Sequence, residues 1–143
     1  MKNGFSLLEL IFAIVVLAII ASFAVPKYLD TKDAALASTI KRDVNTAVTS
    51  IQSYYLLNQK IEKLSDAMNI STVNWTISDL KIADKNSCLT LEVKTAESGG
   101  KKTIELVVDD KNDTNICKKI RGSDLVTKTY EMLKKSLFFF SYS

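Results

Sequence analysis

One apolar run near the N-terminus limits what this chain can fold into. The run extends from Phe5 to Val25, twenty-one residues, and Glu9 is its only charged member. Folded as an α-helix, it would be about 31 Å long, which matches the hydrocarbon core of a bilayer. The run therefore predicts a membrane-spanning helix, and Glu9 is the feature that such a helix does not explain by itself.

Two ordinary interpretations of the run leave difficulties. A cleaved secretory signal has a suitable small-x-small site at Ser22-Phe23-Ala24, but the apolar region is long for a signal and only Met1-Lys2-Asn3 forms its charged start. A plain single-pass anchor has to carry Glu9, although a carboxylate in a membrane helix costs about 3 kcal/mol or more and usually marks function.

A third interpretation gives Glu9 a partner. If the chain is cut after Gly4, the new N-terminal ammonium belongs to Phe5 and lies one helical turn from Glu9. In a helical array of copies, Glu9 of one subunit would neutralise the ammonium of the next. Two charged groups that are each unfavourable in an apolar medium would then become tolerable as a pair.

The residues at this position form a recognisable motif. The stretch Gly4-Phe5-Ser6-Leu7-Leu8-Glu9, followed by the apolar run and Pro26, resembles the cleavage and methylation motif of type IV pilins and type II secretion pseudopilins. The resemblance covers about the first 30 residues. It implies cleavage between Gly4 and Phe5 by a prepilin peptidase, N-methylation of Phe5, and extraction from the membrane into a filament, with Glu9 serving assembly. The resemblance also implies a cytoplasmic N-terminus. The charges that flank the apolar run are by themselves a weak guide to this orientation.

Helical periodicity continues beyond the apolar run. Apolar residues recur at three- and four-residue steps, at Leu36, Ile40, Val44, Ala47, Val48, Ile51 and Tyr55. The pattern predicts one helix from Phe5 to about Asn58, roughly 81 Å long. Pro26 lies inside it, where the proline ring removes a hydrogen bond and clashes with the preceding turn, so we expect a kink or local melting there.

The rest of the chain has a mixed pattern. Between Lys60 and Asn86 we expect a linker with a short helical turn at Ser65–Met68, capped by Ser65, and an extended piece within Val73–Leu80. The alternation at Leu89, Leu91, Val93 and again at Ile104–Val108, separated by Glu97-Ser98-Gly99-Gly100, predicts a β-hairpin. A polar loop is expected at Asp109–Asn115. A helix capped by Ser123-Asp124 should follow, with apolar positions at Leu125, Val126, Tyr130, Leu133 and Leu137. The apolar tail Leu137–Phe140 could be a short strand or a segment docked on the sheet, and the sequence does not separate the two.

The predicted fold class is therefore α+β, with a long N-terminal helix packed on a small antiparallel sheet. We expect a leader at residues 1–4, a transmembrane and filament-core helix at 5–25, its amphipathic continuation at 26–58, and a globular head at 59–143.

The two cysteines, Cys88 and Cys117, lie at the start of the expected hairpin and just past its end. An exported head favours a disulfide between them, and closing a loop of about 30 residues would contribute roughly 3–4 kcal/mol in the chain-entropy model. Two free buried thiols are the alternative, because the hairpin register does not set the two positions directly opposite. Related pilins often carry a C-terminal disulfide, but that correspondence is loose here.

Composition argues against catalysis and metal binding. The chain contains no histidine, which excludes His-based general base catalysis, Ser-His-Asp triads and His-ligated metals. The acidic stretch Asp109–Asp113 suggests calcium, yet it lacks the glycine and the bidentate glutamate of an EF-hand loop. We expect no metal, no cofactor and no enzymatic activity.

These observations predict a structural subunit of a type IV pilus or pseudopilus, serving secretion, competence, or adhesion and motility. Its expected partners are other pilin-like subunits in a homo- or hetero-oligomeric filament, the prepilin peptidase and methyltransferase, the inner-membrane assembly platform and inner-membrane lipid. The subunit would span the bacterial inner membrane once and then enter a periplasmic or extracellular filament. Two alternatives stay open: a DNA-binding minor pilin in which Lys118, Lys119 and Arg121 form a basic face, and an anchored periplasmic domain that does not polymerise. The basic clusters of the chain as a whole are scattered and lack interleaved aromatic residues, which favours a solvated surface over a DNA-binding one.

Overall fold

A computed structural model describes residues 3–95 and 100–132 of the chain. Within these ranges a long helix is followed by a small head of one sheet and two short helices. The elements are α1 (Leu7–Asn58), α2 (Leu64–Ala67), β1 (Trp75–Ile77), β2 (Lys81–Asp84), β3 (Leu89–Thr95), β4 (Lys102–Val108), α3 (Asn115–Gly122) and β5 (Lys128–Glu131).

Helix α1 contains 52 residues and has two environments along its length. Every residue from Leu7 to Lys32 is exposed, and this part is long and apolar enough to cross a membrane. The helix continues through Pro26 without interruption, so the expected local melting does not occur, and a bend at Pro26 stays a prediction. The helix ends where Gln59 adopts a left-handed conformation (φ 54°) and donates its N–H to the carbonyl of Tyr55.

The second half of α1 packs against the head. Six residues of the predicted stripe are buried, which confirms its three- and four-residue spacing: Ile40, Val44, Ala47, Val48, Ile51 and Tyr55. The first predicted residue, Leu36, is only partly buried, and its neighbour Ala37 is buried instead. Trp75 of β1 is 1 % exposed, and its indole N–H donates to Asp43 of α1 at 3.0 Å. The apolar stripe and this polar contact together join the sheet to the helix.

The sheet is an antiparallel meander in the order β1-β2-β3-β4-β5. The predicted hairpin is present as β3 and β4, with Leu91 opposite Leu106 and Val93 opposite Ile104. All four of these side chains are buried, which confirms the period-two pattern. Residues 96–99 of the connecting loop lie outside the described residues. Strands β1 and β2 lie in the expected linker, where the sequence predicts only one extended piece.

The region after the hairpin differs from the prediction. The expected helix beginning at Ser123-Asp124 is wrong: Ser123 instead ends α3, donating its N–H to the carbonyl of Ile120, and Asp124 has a positive φ of 64°. The chain then forms β5, where Tyr130 pairs with Ile104 of β4. The positions Leu133 and Leu137 and the apolar tail Leu137–Phe140 lie outside the described residues.

The cap expected for the short helix is also wrong. Helix α2 begins at Leu64, one residue before Ser65, and its N-cap is Lys63, which makes no side-chain capping bond. Leu64 is fully buried and its N–H donates to the carbonyl of Asp79. Packing of this leucine, rather than a capping hydroxyl, sets where the turn begins.

Candidate processing and assembly site

The start of helix α1 is fixed by a side-chain cap. Ser6 has extended backbone angles (φ −70°, ψ 152°), and its Oγ accepts a hydrogen bond from the backbone N–H of Glu9 at 3.2 Å. The carbonyl of Ser6 accepts the first helical bond, from the N–H of Leu10 at 3.0 Å. This is the geometry of an N-cap serine. It leaves Gly4 and Phe5 outside the helix and exposed to solvent.

Gly4 has no structural reason to be glycine within the described part of the chain. A Cβ built at this position meets no atom within 4 Å, and Gly4 does not have the positive φ that strains a side chain. A residue with a side chain would fit the folded protein equally well. A requirement for glycine here must therefore come from a molecule that binds the extended chain.

Glu9 occupies the third position of the helix and is exposed. In the part of the chain that the structure describes, it forms no salt bridge. A carboxylate in the first turn of a helix interacts favourably with the helix dipole, by about 0.3–1 kcal/mol at an exposed site. That is less than the cost of placing the charge in lipid, so the dipole alone does not explain Glu9 inside an apolar run.

The helix surface around Glu9 is apolar and uncovered. Exposed large apolar side chains continue along α1 from Leu7 to Leu29, and several, among them Leu8, Phe12 and Phe23, are at least 70 % exposed. A soluble monomer rarely exposes a continuous apolar surface of more than a few hundred Å². A surface of this kind is typical of a segment that lipid or other protein chains cover.

The comparison with protein families identifies this segment. A family model described as the prokaryotic N-terminal methylation motif matches residues 1–25. The match supports the resemblance of this N-terminal segment to that of type IV pilins and pseudopilins. The searches of curated proteins and of solved structures returned no significant match. The match covers the N-terminus of this pilin-like chain and not its head, so the head is interpreted from its own contacts.

In the head of this pilin-like protein, the two cysteines lie together. The Sγ atoms of Cys88 and Cys117 are 1.99 Å apart, their Cα atoms are 5.1 Å apart, and both residues are fully buried. The pair joins the residue before β3 to helix α3, which packs against α1. The link therefore connects the sheet to a helix that packs against α1.

A buried carboxylate orders the turn that carries Cys88. Asp84 is 3 % exposed and accepts three backbone hydrogen bonds, from Asn86 at 2.9 Å and from Cys88 and Leu89 at 2.7 Å each. No sequence-based prediction includes Asp84. The available signal was an aspartate at the start of the polar stretch Asp84–Ser87 between two apolar segments, which is typical of a turn closed by its own side chain.

The basic residues of α3 make specific contacts within the chain. The guanidinium of Arg121 donates to the carbonyls of Asp109 at 2.9 Å and Asn112 at 2.8 Å and to the carboxylate of Asp113 at 3.1 Å. Lys119 pairs with Asp30 of α1 at 2.7 Å. Of the three cations expected for DNA contact, only Lys118 is exposed without an ion pair in the described part of the chain.

The acidic loop Asp109–Asp113 is organised by that arginine. Two of its carbonyl oxygens and one of its carboxylates bind the Arg121 guanidinium, which supplies positive charge from within the chain. Among the described residues, no group of three or more His, Cys, Asp or Glu side chains is arranged to hold a metal ion.

Proposed function

We propose that this chain is the precursor of a filament subunit of the type IV pilus or pseudopilus class. A prepilin peptidase cuts between Gly4 and Phe5, Phe5 is N-methylated, and the subunit enters the filament through the first half of α1. One observation carries the proposal: the uncovered apolar part of α1, up to Val25, has a single carboxylate, Glu9, which lies in the first helical turn directly after an exposed segment outside the helix.

The proposed division of the chain follows from this role. Residues 1–4 are the leader, 5–25 the segment held first in the inner membrane and then in the filament core, 26–58 the amphipathic part of α1, and 59–143 the head. The N-terminus lies in the cytoplasm, where the peptidase and the assembly platform act on it. Neighbouring pilin-like subunits are the lasting partners.

In the filament, Glu9 of one subunit neutralises the methylated ammonium of Phe5 on the next. Both groups lie in an apolar surrounding, so their attraction is little screened. Removing one member of such a buried pair leaves an uncompensated charge, which costs about 3–5 kcal/mol. This cost corresponds to a factor of hundreds or more in the docking equilibrium of the subunit.

The test is the Glu9→Ala variant. Membrane insertion and cleavage should remain, because removal of a charge makes the helix more compatible with lipid. The yield of sheared filaments relative to processed subunit should fall sharply. Glu9→Gln should give an intermediate yield, since it keeps hydrogen-bond acceptance without the charge. If Glu9→Ala polymerises as well as the parent, the proposed assembly contact is wrong and a non-polymerising anchor becomes the better interpretation.

Processing is tested separately at Gly4. The peptidase must approach an extended backbone, which glycine leaves open, so Gly4→Ala should slow cleavage and Gly4→Glu should block it. Gly122→Ala is a matched control, because a Cβ at Gly122 also meets no atom within 4 Å. The readout is the N-terminal mass of membrane-extracted protein. A Gly4→Glu protein that still begins with methylated phenylalanine would falsify the processing proposal.

Secretion, competence, adhesion and motility remain open as roles of the filament. DNA uptake through a basic face of α3 is the less favoured role, because Lys119 and Arg121 are already held by Asp30 and by the Asp109–Asp113 loop.

A further inference from the structure

The start of the chain contains two residues that can cap a helix, three positions apart. Ser6 is the observed N-cap, and its hydroxyl is bonded to the N–H of Glu9. Asn3 lies three residues earlier, is exposed and is not part of the helix. Asparagine and serine are among the strongest N-cap residues. The helix could therefore begin in either of two registers, and the structure has it in the register of Ser6.

The two registers differ in what they do to the bond between Gly4 and Phe5. With Ser6 as the cap, both residues lie outside α1 and their backbone is free to adopt an extended conformation. With Asn3 as the cap, Gly4 and Phe5 would become the first and second helical positions. Their dihedral angles would then be fixed in the α region, and the carbonyl of Phe5 would bond to the N–H of Glu9.

We propose that Ser6 is a positioning residue for precursor cleavage: its cap stops helix α1 short of the Gly4–Phe5 bond and holds that bond in a conformation that a peptidase can bind. The inference rests on the proposed processing of the chain at this bond. Ser6 acts through the backbone of its neighbours and takes no part in the chemistry of the cut.

The size of the effect follows from the strength of the cap. Replacing an N-cap serine with alanine typically shifts the capped equilibrium by about fivefold. In this chain the loss of the Ser6 cap makes Asn3 the next available cap, so the helix gains population in the register that contains the scissile bond. Gly4 is a poor helix residue and opposes that shift. The expected result is therefore slower cleavage and not its abolition.

The experiment measures the initial rate of cleavage of the full-length precursor in membranes by the prepilin peptidase. Ser6→Ala should be cleaved more slowly than the parent, by at most about fivefold, because the rate follows the fraction of chains in the Ser6 register. Ser6→Thr, which keeps a capping hydroxyl, should stay close to the parent rate. Asn3→Ala alone should also leave the rate unchanged, because Ser6 still sets the register.

The double variant Ser6→Ala, Asn3→Ala gives the decisive measurement. It has neither cap, so the first turn frays and the scissile bond is released from the helix, which should restore most of the parent rate. Direct recognition of the Ser6 hydroxyl by the peptidase predicts the opposite: the double variant would be as slow as Ser6→Ala. That result, or a Ser6→Ala rate equal to that of the parent, overturns the inference. Failure of the proposed processing is distinguishable, because the unmutated precursor would then not be cut at all.

Discussion

Loss of the link between Cys88 and Cys117 should destabilise the head by a predictable amount. The two residues are separated by 29 positions. In the chain-entropy model, closing a loop of about 30 residues removes unfolded-state entropy worth about 3.6 kcal/mol at 25 °C. Both residues are fully buried, so replacing them with alanine also removes packed sulfur atoms. The Cys88→Ala, Cys117→Ala protein should therefore be less stable than the reduced parent, which keeps its side chains.

Trp75 provides the assay. It is the only tryptophan of the chain, it is 1 % exposed, and it is hydrogen-bonded to Asp43, so its fluorescence reports separation of the head from α1. The full chain in detergent micelles would be unfolded with urea in oxidised and reduced form. For a urea dependence of about 1–3 kcal/mol per molar, the midpoint should fall by roughly 1–4 M on reduction.

Two results would refute this reasoning. An unchanged midpoint on reduction would mean that the link does not restrict the unfolded chain. Free alkylation of both thiols in protein taken from its native compartment would mean that the link is not formed there. A tryptic digest analysed by mass spectrometry without reductant should instead contain a Cys88–Cys117 peptide pair.

Three further predictions use the same fluorescence assay. Asp84→Ala should lower the free energy of unfolding by about 3–5 kcal/mol, because three backbone N–H groups lose a charged acceptor in a buried turn. Asp84→Asn should lower it less. A loss under about 1 kcal/mol for the alanine variant would contradict the role assigned to Asp84. Arg121→Met should cost about 1–3 kcal/mol, while Lys118→Met on the exposed side of the same helix should cost almost nothing. Calcium should leave the midpoint of the parent unchanged; a stabilising effect of calcium would show that the Asp109–Asp113 loop holds a cation besides Arg121.

The sequence predicts secondary structure best where a regular hydrophobic pattern extends over many residues. The apolar run and the stripe from Leu36 to Tyr55 extend over many helical turns, so their helical period is clear, and the predicted helix from Phe5 to about Asn58 agrees closely with α1. The β3–β4 hairpin was predicted for the same reason, since its two strands alternate over seven residues each.

Short elements were missed because their conformation depends on their neighbours. Strand β1 has three residues and β2 has four, too few for an alternation to stand out, and both exist by pairing onto β3. For the segment that forms β5 the sequence predicts a helix, because Leu125 and Val126 are followed by further apolar residues at near-helical spacing. Pairing of Tyr130 with Ile104 decides its conformation, and no local signal reports that contact.

At the candidate site, the sequence predicts roles for Gly4, Phe5 and Glu9 but none for Ser6. Gly4, Phe5 and Glu9 were singled out from the motif and from the unfavourable charge. Ser6 was passed over, although serine followed three residues later by glutamate is a known signature of a helix start. The hydrogen bond from the N–H of Glu9 to Ser6 shows that the signature applies here.

The uncovered half of α1 has a consequence for what drives the proposed polymerisation. The hydrocarbon tails of a bilayer are as apolar as leucine, so transfer of this surface from lipid to a core of neighbouring helices releases almost no water. The hydrophobic effect, which dominates most protein association in solution, is therefore nearly balanced between the two states. Polar contacts, close packing of helices and work done by the assembly machinery must tip the balance. A filament built in this way can grow or dissolve back into the membrane with small changes in any of these three quantities.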